Sequence, residues 1–448
     1  MEGDRSGRPA PILFGRTGWS FAFVFCLYAY QGLVAGFALT ALPNHHAALG
    51  ASAADLGWHA ATVGLPWVLQ PAWGPLVDRF GDFRMGGRRF WMAAALSGSL
   101  AMLLLLLAVP DAPGGLSRAS WVLAGHGAFA SLLDTAVDAM VIDRVPPEGL
   151  GRANASTRAG FVSGIAVGAA LFGSLLEPTP FGPAALGLHG AALLLAALGL
   201  LVAVPILLFR EDAADAFVSL RRRRPSADAG RRTGRPSHGA LRRFLAPILR
   251  RQSLLLVAFC IAIEAACAAV QLRTGLDLIQ KQNWDPASLS RLQAGVGLFS
   301  GTLGAFAVGW WSDRLGALRG LSAVLLASAA AYAGVALLLL GGLDAAAPFA
   351  TAMATGVPVL IFVALAPTVM RASRGPGAAT RFALFMAALN LGGVGGNAVA
   401  GAAGTELSLW VPVLAAGGVF AGCALVARRP RLLFRRGVEA AAPARGAA

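Results

Sequence analysis

Asp134 and Asp138 stand four residues apart inside an otherwise apolar stretch. On a helix they share one face, about 40° apart. Two carboxylates so placed can share a proton, a cation or an Arg partner. Glu264 is a third acid in the middle of an apolar run, on one face with Ala268 and Gln271. A charge in lipid is costly, so such acids are expected to face protein or water and to carry function. His126, eight residues before Asp134, returns to a similar face and reads equally as a proton relay or as a packed histidine. Asp134, Asp138, Glu264 and His126 are therefore the proton-exchange candidates. Gln31, Gln70, Gln271, Asn390 and Asn397 bring neutral hydrogen-bonding groups into apolar runs and are candidates for holding a polar substrate. Arg273 and Asp277 are an i,i+4 pair, so Arg273 either meets an anionic substrate group or only pairs with Asp277. Gly392, Gly393, Gly395 and Gly396 precede Asn397, where exposed carbonyls and close packing are equally open readings.

The elements that must position these groups follow from composition. The 448 residues are 56% hydrophobic and 13% charged, with mean hydropathy +0.65; soluble domains carry about 25% charge. The apolar residues fall in separated runs of about 20, each long enough to cross a bilayer as a helix. The runs are 19–42, 57–77, 90–110, 119–142, 155–176, 184–209, 252–275, 289–311, 320–342, 346–370, 379–402 and 408–427. The expectation is an all-α membrane protein of twelve transmembrane helices. A β-barrel would need alternating ten-residue segments, which are absent. The 56 glycines follow no G-X-Y period and suit close helix contacts in lipid.

Net charge is +15, and all but one of the 37 basic residues are Arg. One set of connections contains Arg79, Arg84, Arg88 and Arg89; Arg144 and Arg152; Arg314 and Arg319; Arg371 and Arg374. The alternate set is nearly free of cations, with Arg118 and Lys281. This is the positive-inside asymmetry and not a nucleic-acid groove. With an even number of spans it puts both termini in the cytoplasm and the chain in the cytoplasmic (inner) membrane. The opposite loop 43–56, with Asp55, His45 and His46, reads as solvated. Residues 1–209 and 252–448 are the expected halves. Residues 210–251, rich in Arg and broken by Pro225 and Pro236, are the expected cytoplasmic linker; 241–250 has an amphipathic pattern suited to a lipid surface. Cys26, Cys260, Cys267 and Cys423 lie in apolar runs without CxxC spacing and read as small hydrophobes. No metal and no cofactor is expected; neither a P-loop nor an H-E-x-x-H pattern is present.

Gly74-Pro75-Leu76-Val77-Asp78-Arg79-Phe80-Gly81 ends the second run, and Gly309-Trp310-Trp311-Ser312-Asp313-Arg314-Leu315-Gly316 ends the eighth. Both are G-x-x-x-D-R-x-G at the Arg-rich end, so the chain repeats itself as two six-helix halves. The Asp can face a helix N-terminus and nearby Arg side chains, holding one helix arrangement and releasing it in another. The gate candidates are Gly74, Asp78, Arg79, Arg88, Arg89, Asp143, Arg144, Glu148, Asp313 and Arg314. Asp143 and Glu148, with Arg152, are expected to form an end cluster.

The first segment, with Gly87-Arg88-Arg89 following, resembles the characteristic loop of the major facilitator superfamily. Within it, Trp73 to Arg79, Trp91, Gly32-x-x-x-Gly36, and Asp134-x-x-x-Asp138-Ala139-x-x-x-Asp143 with Pro146, Pro147, Glu148 and Gly151 resemble the AmpG-like permeases. Leu133 stands where muropeptide permeases usually carry Gln, and Arg158 stands for the Arg they commonly carry early in the fifth span, without the aromatic-Arg pair. The resemblance implies two pseudo-symmetric six-helix lobes rocking about a central cavity. Together with the acids inside the bundle, the expectation is secondary transport of a polar organic solute such as a muropeptide, peptide or siderophore, by alternating access and coupled to protons through those acids; one chain, as a monomer in contact with membrane lipids, could hold the whole pathway. An uncoupled facilitator or amphiphile effluxer is the first alternative, and a membrane-embedded binding or sensing protein the second. An enzyme is not expected.

Overall fold

The computed structural model describes residues 12–13, 17–145, 150–177, 186–222, 250–373 and 378–433. Among these the chain is helical, with two isolated backbone bridges, Ile12 to Arg210 and Phe83 to Arg222. The helices are α1 (Trp19–Ala48), α2 (Ala53–Val68), α3 (Trp73–Arg79), α4 (Gly87–Ala108), α5 (Leu116–Arg144), α6 (Leu150–Leu175) and α7 (Gly187–Leu208). They continue with α8 (Arg251–Gln280), α9 (Pro286–Ser312), α10 (Ala317–Leu340), α11 (Ala347–Ser373), α12 (Ala378–Ala402) and α13 (Trp410–Ala427).

Ten of them, α1, α4 and α6 to α13, are long and apolar enough to cross a membrane. The other two expected spans fall short for reasons visible in their residues. Five charged side chains, Arg118, Asp134, Asp138, Asp143 and Arg144, interrupt the apolar character of α5, which is nevertheless one unbroken helix of 29 residues. The second span is two helices, α2 and α3, joined by a tighter turn at Gln70–Ala72. Pro66, Pro71 and Pro75 remove backbone donors around that joint, which frees the helix ladder and lets Gln70 leave the line of the helix.

By contact the chain divides into two units. The first comprises residues Met1–Ala51, Thr62–Arg235 and Asp285–Gly295; the second comprises Ser52–Ala61, Pro236–Trp284 and Val296–Ala448. Within the first, α1 and α6 approach backbone to backbone. A Cβ at Gly164 would overlap the Ala29 carbonyl, and one at Gly32 would overlap that of Phe161. Phe37 and Phe172 then close edge to face at 5.2 Å in a buried apolar core. The second unit repeats the device: α8 and α12 meet at Gly392 and Gly396, against Ile261 and Ala265. Small residues let helices touch in lipid, where no hydrophobic drive brings them together.

Residues 210–222 are built onto the first unit as a strap under the α3–α4 turn. Ala216 N donates to Arg84 O (2.9 Å) and Arg84 N donates to Arg221 O (3.0 Å). The Arg210 guanidinium lies 4.1 Å from the Phe217 ring centroid. The possible surface helix at 241–250 lies almost wholly outside the described residues.

α1 also runs further than its apolar stretch indicates. It passes through a π-helical turn at Phe37–Ala41 and continues to Ala48, because Pro43 is the second residue of its last segment, within the first turn where a missing N–H is tolerated. His45 and His46 are therefore helical and not in a solvated loop; His46 is buried.

Candidate functional site

The acids of α5 are held by groups from three neighbouring elements of the first unit. Asp134 Oδ2 accepts from Gln70 Nε2 at 2.6 Å, the residue freed by the α2–α3 joint. Asp138 Oδ1 accepts from Tyr28 Oη at 2.8 Å, from α1. Arg158, on α6, acts electrostatically on both carboxylates and on the Tyr28 phenol. Trp73 Nε1 donates to Ser131 Oγ at 2.9 Å, which fixes α3 against α5 one turn from Asp134. Asp134 is half-buried, and Asp138 and Arg158 are exposed, so the cluster is accessible. Two carboxylates and one guanidinium carry a net charge of −1, which a single added proton or one bound cation would neutralise.

The other expected groups take different places. Gln31 is one turn along α1 from Tyr28, on the same face. It is only 6% exposed, and neither its amide nitrogen nor its amide oxygen has a partner among the described residues. His126 is buried with Nδ1 2.9 Å from Ser99 Oγ and 3.3 Å from Ser99 O, which ties α5 to α4 two turns from Asp134. Glu264 is half-buried with its stem against Gly392 and Gly393 of α12, and it has no hydrogen-bond or ion-pair partner among the described residues. Gln271 is half-buried on the same helix. Arg273 is buried and interacts with Asp277 electrostatically, without a hydrogen bond between them. Its two terminal nitrogens donate to Gly404 O (2.5 Å) and Leu407 O (2.9 Å), bracing the turn after α12, and Asp277 pairs instead with Lys281 at 2.8 Å. Asn390 and Asn397 are half-buried on α12; the Asn397 carbonyl meets Gly57 of α2.

At the Arg-rich end the charges form two linked groups. Arg88 NH1 lies 2.8 Å from Asp78 and its Nε 3.0 Å from Asp143. Arg144 is bidentate to Asp212 of the strap at 2.7 Å for each bond, with Glu211 at 3.6 Å. Asp143 thus reaches across to α4 and not back along its own connection; Arg152 lies over the Phe21 ring at 5.6 Å, and Glu148 lies outside the described residues. Burial in this cluster raises the pKa of Glu211, offset by the Arg89 N–H and by Arg144. Arg79 stays over Phe80 (5.8 Å).

Arg89 is wholly buried. Its guanidinium donates to the carbonyls of Ile206 (2.6 Å), Leu207 (2.5 Å), Met85 (3.3 Å), Ala216 (3.1 Å) and Phe217 (2.6 Å). The glycine that matters in this loop is Gly86, at φ +97°, where a Cβ would strike Glu211; around Gly74 there is open space. In the second copy of the motif Arg314 stacks on Trp310 at 3.6 Å, and Gly316 takes φ +84° at the start of α10. The Asp313 side chain lies outside the described set.

These geometries separate two substitutions. Arg89→Ala leaves five carbonyls without their buried donor and is expected to lower stability by about 3 kcal/mol or more. Asp78→Asn removes one pair whose Asp is 68% exposed, expected to change stability by under about 1 kcal/mol. Thermal melts of the purified protein in detergent check both; equal shifts would contradict the burial argument.

Tyr28 and Arg158 complete the site; Arg158 is the Arg that the resemblance marks early in the fifth span, whereas Tyr28 was not singled out. The available signal was rarity: the chain has 3 tyrosines, and few Arg residues lie inside apolar runs.

A family model described as the Major Facilitator Superfamily matches residues 24–380. Among solved structures, the chain is similar to the nucleoside transporter NupG, with TM-score 0.62 and 14% identity over 93% of this chain and 99% of that one. It is similar to a bacterial homolog of the human lysosomal transporter Spinster in an inward-facing conformation, with TM-score 0.65 and 13% identity over 92% and 97%. A third is the xylose transporter XylE from E. coli, with TM-score 0.61 and 11% identity over 91% and 97%.

Proposed function

Because the chain belongs to the major facilitator superfamily, and is thus a membrane transporter rather than an enzyme, we propose that it moves a polar organic solute by alternating access, coupled to protons through Asp134 and Asp138. The observation that carries this reading is the accessible cluster of Tyr28, Gln70, Asp134, Asp138 and Arg158. Each carboxylate is bonded to a neutral group. A phenol donates to an ionised carboxylate and accepts from a protonated one, so a proton can enter or leave without stranding the partner. The net charge of −1 then alternates with zero. A neutral cluster tolerates surroundings that a charged one does not, so protonation can bias which way the pathway opens.

Gln31 supports a solute with a planar donor and acceptor edge. An amide buried without partners is unfavourable by about 1–3 kcal/mol, and a bound solute that pairs with it recovers that loss. Gln31→Leu is therefore expected to leave the melting temperature unchanged or higher while removing solute-induced stabilisation. A lower melting temperature would assign Gln31 to packing. The AmpG-like resemblance favours a muropeptide, peptide or siderophore as cargo. The Arg-rich end, with both termini, is read as cytoplasmic in the inner membrane.

A second reading draws on the exposure of Asp138: the acids recognise a cationic group of the solute in an uncoupled carrier. A thermal-shift screen of amino sugars, peptides, siderophores and nucleotide-linked acyl compounds supplies a ligand. Uptake of that ligand into proteoliposomes, with and without a pH gradient, then separates the readings. Proton uptake alongside solute is expected; identical accumulation after the gradient is collapsed removes coupling.

A further inference from the structure

The start of α9 is seated in the first unit. Residues Asp285–Gly295 belong to that unit by contact, whereas α9 from Val296 onward belongs to the second. The seat is a groove between the last turns of α1 and of α6, at the end of the helices opposite the Arg-rich connections. Three features make it fit. Ser290 packs on Gly173, where a Cβ would come within 2.5 Å of the serine Cβ. Ala294 closes on Ala166 and Ala169 in a small buried apolar patch. Between them, Asn44 Nδ2 donates to Ser290 Oγ at 2.9 Å and to Gln293 Oε1 at 2.8 Å. Asn44, Ser290 and Gln293 are 7%, 0% and 8% exposed. Around the rim, His45 Nδ1 meets Glu177 at 2.5 Å, and Arg291 donates to Ser174 Oγ at 3.2 Å.

We propose that Asn44, Ser290 and Gln293 are a latch that holds this end of the pathway shut, and that the first turns of α9 leave the α1–α6 groove each time this end opens. The proposal rests on the alternating-access reading. An all-apolar seat could loosen by degrees, because sliding apolar surfaces lose contacts one at a time. A buried amide that donates twice behaves differently. Pulled apart while dry, its three groups lose their partners together and each is left unsatisfied. Pulled fully apart, all three are wetted and bond to water instead. The closed and open states thus both keep these groups bonded, with a penalised intermediate between them, which is the behaviour of a two-position catch. A π-helical stretch follows at Ser300–Gly304. It gives α9 a point at which its first turns can swing while the remainder stays in the second unit.

The test reads access at the seat without solute or gradient. Ala287, 3% exposed beside Gly173, is replaced by Cys in the full-length chain with Cys26, Cys260, Cys267 and Cys423 changed to Ser. Reaction with a membrane-impermeant maleimide from the outer face is then timed. Asn44→Ala and Gln293→Leu, made separately, are each expected to speed labelling by about tenfold. The double variant is expected to be no faster than Asn44→Ala alone, because that change already removes the bond to Gln293. Ala119→Cys, fully buried at the same end of α5, is the reference and is expected to stay unreactive. Unchanged labelling overturns the latch. So does a double variant that multiplies the two effects, and so does a parallel rise at position 119, which would mean general loosening or failure to fold. Because labelling needs no transport, a chain that labels as expected but shows no solute accumulation overturns the functional reading alone.

Discussion

Asp134→Asn is expected to end gradient-driven accumulation and leave the folded protein intact. The substitution is nearly isosteric, and the Asn carbonyl still accepts from Gln70, now 2.6 Å from Asp134 Oδ2. What it removes is the group proposed to take up the proton. With Asn at 134 the cluster of Asp138 and Arg158 is neutral from the start, and a proton has nothing to neutralise. Solute then only equilibrates across the membrane, whatever the pH difference. Exchange of labelled for unlabelled solute should persist within about threefold, since the contact that positions the side chain survives. Asp138→Asn should act in the same direction but less completely, because Asp138 is exposed and bonded to one phenol. The measurement is counterflow and net uptake on the same proteoliposomes, with the melting temperature as a control for folding. Loss of both exchange and uptake in Asp134→Asn, at an unchanged melting temperature, would make the carboxylate a solute-binding group and favour the uncoupled reading. Retention of both would remove it from the site.

Gly164→Val should abolish folded protein. The α1–α6 contact is made by backbone: at Gly164 a Cβ would overlap the Ala29 carbonyl and lie 2.9 Å from Leu33 N. Neither of those groups can rotate away. The helices must separate, and with them the Tyr28–Asp138 bond and the placement of Arg158. Overpacking in cores typically destabilises by about 1–3 kcal/mol where side chains can adjust, so a clash against helix backbone is expected to exceed that range. Gly418→Ala in α13 is the matched control, since no atom lies within 4 Å of the added carbon there. It should be neutral or stabilise by up to about 1 kcal/mol, the helix preference of Ala over Gly. Fluorescence-detected gel filtration and thermal melts check the pair. A monodisperse, wild-type-like Gly164→Val protein would refute the packing argument.

These two sites also mark how far the sequence is legible. Apolar runs locate helices because a bilayer imposes one length on all of them. An acid in such a run stands out, so Asp134, Asp138 and Glu264 could be found without coordinates. Their partners could not. Tyr28 and Gln70 are 110 and 64 residues from the acids they bond, and a side chain's polarity says nothing about what it will meet. The same limit explains Arg273 and Arg89. Both read as available charges, and both are spent on carbonyls that become neighbours only in the fold. Asp143 was assigned to its own connection because sequence proximity is all that spacing offers; the α4–α5 packing gives it Arg88. Hydropathy also misleads at the candidate site, since Asp134 and Asp138 are among the charges that interrupt the apolar character of α5. Glycine is ambiguous for a related reason. Gly74 belongs to the repeated motif yet has free space around it, whereas Gly86 and Gly164 are tightly constrained.

The burial of Arg89 has a consequence for the order in which the protein can be made. Its acceptors lie on α7 and on the strap, 117 to 128 residues further along the chain, apart from Met85. While α4 is being inserted, those carbonyls have not yet been synthesised, so the guanidinium must wait in water or among lipid headgroups. The first unit can therefore lock only after Phe217 has left the ribosome. A fragment cut at residue 209, where the apolar runs alone would divide the chain, lacks the Ala216 and Phe217 carbonyls. An independently folding half should extend through Arg222, and its maturation during translation should show a late step at that point.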